Sequence, residues 1–367
     1  MKVILYIGHH KVGSTALQVF LAQNWLRLIR AGILYPSVDA RGFAYNLART
    51  LEADDMPAPA NVNIREPHSA LAYRMMSEVS DRRVPAQFKT LPSAGQMFIA
   101  LRQQIRRLHP ETVILCSEAF ANFGQVQPAL IGQLCSAFPQ AEFEIYCALR
   151  RPDDYLISWH GQRLKVGERL KSLAGGGTAP YFDTIHFNFR AVIEAWVQEL
   201  PQARVMIRNY SDILAAGGSA EDFMQQCGTG FPDDMVPAGR ANASLSRAAM
   251  EIVRRANHDL EPPAAHALCQ YLLTCGDRLI PVANGEVEMF GPEIRADLAE
   301  RFAPVQEYLS ALTGQAAFFP DIDEVARPRP VPESEATADL LGQIDPQTLP
   351  DDTLRAYVGE LRRGDTE

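Results

Sequence analysis

Lys11, Gly13, Ser14 and Thr15 lie in the run Gly8-His9-His10-Lys11-Val12-Gly13-Ser14-Thr15, between an apolar stretch and a helical pattern. A helix N-terminus carries unpaired N–H groups and positive partial charge. Glycine lets the backbone approach a phosphate closely. These residue types at a strand-to-helix turn suit an anion. Lys11 adds a full charge, and Ser14 and Thr15 add hydroxyl donors. A Walker A loop would place Lys directly after its second Gly. Here Ser14 follows Gly13 and the lysine lies two positions earlier, so a glycine-containing turn with an incidental lysine explains the run equally well.

Arg150-Arg151-Pro152-Asp153-Asp154-Tyr155-Leu156-Ile157-Ser158-Trp159 is the second constellation. Arg150 leaves an apolar run as a planar, permanently charged donor fork. Pro152 suits the first position of a helix, and Ser158 falls on one of that helix's first turns. Ser117-Glu118 follows another apolar run and supplies a carboxylate. An exposed arginine, a helical serine or a carboxylate that caps a helix is each common by itself.

The elements that must position these groups alternate. Val3–Ile7, Thr112–Cys116, Glu142–Leu149 and Val205–Arg208 read as strands, the first two as continuous apolar runs buried on both faces. Helical spacing covers Ser14 or Thr15 to about Arg30, Phe98–Leu108, Leu130–Phe138, Asp153–Leu164, Phe189–Leu200, Ser244–Leu260 and Pro292–Leu312. Residues 40–95 read as short helices and loops, and Gly175-Gly176-Gly177 as a flexible loop. This order predicts an α/β fold with a central parallel sheet flanked by helices. Lys11, Glu118 and Arg150 then follow the carboxyl ends of three strands, the edge where open α/β sheets bind ligands.

Lys plus Arg is 35 and Asp plus Glu is 44, a formal net charge of −9. From Asp321 onward 12 acidic residues face 5 basic ones, so the rest of the chain is nearly neutral. A general nucleic-acid surface is thereby disfavoured, while a local basic pocket remains compatible. Cys116, Cys135, Cys147, Cys227, Cys269 and Cys275 form no CxxC pair and read as reduced, buried thiols. No secretory signal or membrane span is apparent, so a cytoplasmic protein is expected. The acidic, Pro-containing composition of 321–367 predicts a tail with one short helix, outside a 1–320 domain. Residues beyond about Pro330 would then be dispensable.

The first loop resembles the 5′-phosphosulfate loop of sulfotransferases that use 3′-phosphoadenosine 5′-phosphosulfate (PAPS), whose pattern is Lys-Thr/Ser-Gly-Thr/Ser-Thr after the first strand. Lys11, Gly13, Ser14 and Thr15 match, and Val12 departs where a hydroxyl is usual. Arg150 and Ser158 resemble the family's Arg and Ser eight residues apart, which hold the 3′-phosphate. Ser117-Glu118, the strand ending before Tyr210, and Arg240 to Ser246 resemble further family segments more weakly. The resemblance implies a three-layer P-loop-NTPase-like fold and sulfuryl transfer to a hydroxyl or amine, with a carbohydrate or glycolipid acceptor by analogy. It implies donor contacts from Lys11, Val12, Gly13, Ser14, Thr15, Arg150, Ser158, Tyr210 and Arg240, with no metal required.

In that scheme Lys11 stabilises charge on the departing phosphate, and Glu118 is the general base. His10 is the rival base, with His160 behind it. Two other readings stay open: a nucleotide-dependent kinase or phosphotransferase, and a non-catalytic protein that binds PAPS.

Overall fold

The apolar run after Met1 forms β1 (Lys2–Gly8), the middle strand of a parallel sheet. The computed structural model describes residues 1–51, 61–88, 90–237, 244–274 and 279–364. They fall into two units, Met1–Arg150 with Asn188–Ala241, and Arg151–Phe187 with Asn242–Glu367.

In the first unit β2 (Ile33–Leu34), β3 (Thr112–Cys116), β1, β4 (Glu142–Leu149) and β5 (Arg204–Asn209) pair in the order β2-β3-β1-β4-β5, all parallel. Register sets Tyr6 beside Cys116 and Leu149 beside Asn209, so the carboxyl ends come out on one edge. Side chains alternate across a strand. Ile4, Tyr6, Ile114, Cys116, Tyr146 and Ala148 pack with Leu17, Phe20 and Leu21 of the Ser14–Gln23 helix and Phe223 of the Ser219–Gln226 helix. The alternate residues Val3, Leu5, Ile7, Val113, Leu115, Ile145 and Cys147 are fully buried too. Both faces are therefore covered, as the continuous apolar runs of β1 and β3 require.

The helix expected to reach Arg30 ends at Gln23, and a second runs from Trp25 to Arg30. Asn24 causes the break. Its amide donates to Phe20 O and Val236 O, both at 2.9 Å, and its Oδ1 accepts from Val236 N at 2.8 Å. A buried Asn that bonds backbone in this way competes with helix continuation. Residues 40–95 hold helices at Ala40–Thr50, Val62–Arg65 and Pro67–Val79 among those described.

The second unit is mainly helical, with helices Pro152–Lys165, Arg247–Asp259, Pro262–Thr274 and Pro292–Thr313. The Gly175–Gly177 segment is a wound turn. Gly177 N donates to Ser172 O at 2.9 Å, and a Cβ on Gly177 would meet Lys171 O at 2.5 Å.

The composition of 321–367 predicts a tail with one short helix, and its described residues hold two. Residues 321–364 form helices Glu333–Gln343 and Asp352–Gly364, and β7 (Val331–Pro332) pairs with β6 (Val287–Glu288). Ala336, Leu340, Leu341, Leu354 and Val358 are buried, and Thr337 Oγ1 donates to Ala248 O at 3.0 Å. Glu335, Asp339, Asp352 and Glu360 stand on the exposed faces of these helices, while Glu333 is half-buried. The apolar pairs four residues apart, Ala336 with Leu340 and Leu354 with Val358, are too few to register in an average.

Candidate functional site

The loop after β1 reverses through Lys11 at φ 60° and Gly13 at φ 83°. Gly13 is required twice over. Positive φ is costly for a side chain, and a Cβ there would lie 2.0 Å from Ser219 Oγ. Ser219 Oγ in turn donates to Val12 O at 3.0 Å and fixes the loop. The Val12 side chain is fully buried in the core, so it belongs to packing, and Val12 faces the loop only through its backbone. The Ser14–Gln23 helix begins at Gly13 without a side-chain cap and without an acidic residue in its first turn. Its first backbone bond is Leu17 N to Gly13 O, so the Ser14, Thr15 and Ala16 amides precede the ladder.

Glu118 follows β3 through Ser117, whose hydroxyl accepts from Ala119 N at 3.0 Å and winds the next turn. Gln18, one turn into the loop's own helix, donates to Glu118 Oε2 at 2.9 Å and to Cys116 O at 3.3 Å. Burial pushes the Glu118 carboxyl up, against the pull of hydrogen bonds from Gln18 and Ser14 and of the Lys11 charge. Lys11, Ser14, Gln18 and Glu118 thus form one cluster. His10 goes the other way. Burial, then the neighbouring Lys11, push its imidazole down to about 4.

Two features of this cluster escaped the sequence reading of catalytic groups. Gln18 is fully buried and ties Glu118 to the helix that follows the β1 loop. Glu66 precedes the Pro67–Val79 helix, and its carboxyl is pushed up by burial and by Glu118, with the Arg65 ion pair at 2.8 Å opposing. Ser69 Oγ and Ser117 Oγ are 2.9 Å apart, and Cys116 N donates to His68 Nδ1 at 3.1 Å, which seats the Glu66 segment against the end of β3. The only sequence signal for Gln18 was its position four residues after Ser14, and Glu66 had none.

Arg150 follows β4 with its guanidinium carbon 5.5 Å from the Tyr210 ring centroid, a cation–π contact across the β4–β5 edge. Among the described residues no carboxylate pairs with Arg150. Arg151 is fully engaged, with Asp153 at 2.7 Å, Asp154 at 3.6 Å and Asp321. Ser158 is half-buried on the Pro152–Lys165 helix of the second unit. His160, on the same helix, is pushed down to about 4 by burial and lies 3.2 Å from Tyr181 OH in a structural network. Arg240 lies outside the described residues. No group of His, Cys, Asp and Glu that could hold a metal ion is found among the described residues.

No family model matches the chain, and no solved structure matches it significantly. Over 133 residues the chain is 28% identical to an uncharacterized protein of Archaeoglobus fulgidus, a stretch that covers 35% of each. The chain thus spans about a third of that relative's length. Neither result assigns an activity.

Proposed function

We propose that this chain is a PAPS-dependent sulfotransferase of P-loop-like architecture, acting on a hydroxyl or amine acceptor. One observation carries the reading. Lys11, Glu118 and Arg150 follow the carboxyl ends of three neighbouring strands, in the order β3-β1-β4, and Lys11 and Glu118 share one cluster. The residues suit the donor. An uncapped helix start after a lysine-bearing loop fits the 5′-phosphosulfate, and an arginine without a carboxylate partner fits the 3′-phosphate. Ser158 enters by its spacing from Arg150.

PAPS would supply the sulfuryl group. Lys11 places a fixed cation where the leaving phosphate oxygen gains charge. The Ser14, Thr15 and Ala16 amides and the two hydroxyls orient that phosphate. Glu118 takes the acceptor proton on a carboxylate oxygen. Its raised pKa makes it a better base than an ordinary glutamate, whereas His10, at about 4, is a weaker one than an ordinary histidine.

The test is calorimetric titration with 3′-phosphoadenosine 5′-phosphate (PAP) in the presence of a chelator. The reading expects saturable binding, and weaker binding of the nucleotide lacking the 3′-phosphate. Saturation by ATP–Mg²⁺ but not by PAP would replace it with the kinase reading. Acceptor-dependent release of PAP would separate an enzyme from a binding module.

A further inference from the structure

Ser14 stands between the loop after β1 and Glu118. It is the first residue of the Ser14–Gln23 helix, and its amide precedes the backbone ladder at the end that suits an anion. The residue is 5% exposed and gives Glu118 a hydrogen bond. Gln18 lies four residues on, on the same face of the helix, and donates to Glu118 Oε2 at 2.9 Å.

The two donors differ in freedom. The Gln18 amide also donates to Cys116 O at 3.3 Å and to Ser69 Oγ at 3.4 Å, which fix its orientation. The Ser14 hydroxyl turns about one side-chain bond and has one proton to donate. It serves Glu118 or a phosphate oxygen at the helix start, not both at once. The other groups around Glu118 leave this choice decisive. Tyr6, Tyr35, Tyr73 and Cys116 are pushed up by burial and stay neutral. Lys11 and Glu66 carry the neighbouring charges, and Arg65 pairs with Glu66 at 2.8 Å.

On the sulfotransferase reading, we propose that Ser14 is a positioning residue that couples donor binding to the base. Without donor its hydroxyl holds the Glu118 carboxylate. With donor it turns to the 5′-phosphate and releases that carboxylate to the acceptor. Glu118 then has one hydrogen-bond donor fewer and a new anion nearby, and both changes favour its protonated form. Glu118 is therefore a weaker base until PAPS is seated, which favours donor first and acceptor second.

The experiment follows the Glu118 carboxyl of the full chain by carbon-13 NMR through a pH titration. Its signal is identified by its loss in Glu118→Gln. Wild type, Ser14→Ala and Ser14→Thr are each titrated with and without PAP. We expect PAP to move the wild-type titration to higher pH. Ser14→Ala should titrate higher than wild type without PAP and gain a smaller shift from it, since only the charge of the anion is left to act. Ser14→Thr keeps the hydroxyl and should restore the wild-type shift. An equal PAP-induced shift in wild type and Ser14→Ala overturns the coupling, as does a donor-free Ser14→Ala titration that matches wild type. Failure of wild type to bind PAP would instead remove the donor reading, and the same comparison with inorganic pyrophosphate then judges Ser14. Equal shifts with pyrophosphate, or no binding of it, would overturn the coupling as well.

Discussion

Two neighbouring arginines meet opposite fates. Arg151 is half-buried among Asp153, Asp154 and Asp321, and Asp153 is itself 1% exposed, with Arg295 3.7 Å away. Its charge is consumed by structure. Arg150 lies over the Tyr210 ring, and among the described residues no carboxylate pairs with it. Arg150→Ala should therefore weaken PAP binding by about 1.5–3 kcal/mol, the value of a charge-assisted bond, with little change in unfolding temperature. Arg151→Ala should lower the unfolding temperature instead, because it strips a buried aspartate of its main partner. Calorimetry of both variants checks the pair, and an Arg150→Ala protein with wild-type PAP affinity would end the assignment. Gln18 permits a pH test. Its hydrogen bond stabilises the Glu118 carboxylate and so lowers a pKa that burial has raised. A base must be deprotonated, so kcat/KM should rise with pH through that raised pKa. Gln18→Met keeps the volume and removes the bond, and the acidic limb should then move to higher pH with PAP affinity retained. An unmoved limb would show that Glu118 is not the titrating base. Lys11, Glu118 and Arg150 were legible in the sequence as candidates because each follows an apolar run. It hid Gln18 and Glu66, because their roles depend on which elements pack beside β3.

At the scale of elements, the loop works because two helices meet at it. The Ser219–Gln226 helix holds Val12 O through Ser219, and Asp222 of that helix accepts from Tyr146 OH at 2.5 Å and from Arg208 at 2.7 and 3.1 Å. The loop after β1 is thus braced against β4 and β5. Gly13→Ala would put a Cβ 2.0 Å from Ser219 Oγ at a φ of 83°. The left-handed conformation alone costs about 1–2 kcal/mol, and the clash displaces the brace. Stability and PAP affinity should fall together. Adding Ser219→Gly should recover part of both by clearing the clash, while the conformational cost stays. Full activity of Gly13→Ala would mean that the loop geometry is not what binds the donor. Strands and the main helices were readable from apolar runs and helical spacing. The break at Asn24 was not, since its cause is a bond to Val236, which is 212 residues away. Val12 fills the core beneath the loop, and a side-chain hydroxyl there would stand among the buried apolar residues of that cluster.

At the scale of the whole molecule, the acidic end of the chain matters for stability rather than for solvation. Composition averages suggested a tail, yet Leu340, Leu341 and Ile344 are buried from one helix and its exit, and Leu354 and Val358 from the next. Full burial of such side chains contributes about 1.5–3 kcal/mol each, so five of them match the whole net stability of a typical domain. The segment is also tied by polar bonds. Tyr357 OH donates to Asp259 at 2.8 Å, and Arg362 donates to Leu341 O at 2.7 and 2.9 Å. Truncation after Pro330 would remove both helices and uncover the Arg247–Asp259 helix, where Ala248, Ile252, Val253 and Ala256 are buried. The second unit should then lose its cooperative unfolding transition and become protease-sensitive around residues 247–274. The first unit holds its own parallel sheet and core, so cleavage should leave residues 1–150 and 188–237 protected longest. Limited proteolysis read by mass spectrometry, beside a thermal melt of each protein, makes the comparison. A truncated protein with the full-length melting temperature and the same cleavage pattern would return the segment to the status of a dispensable tail.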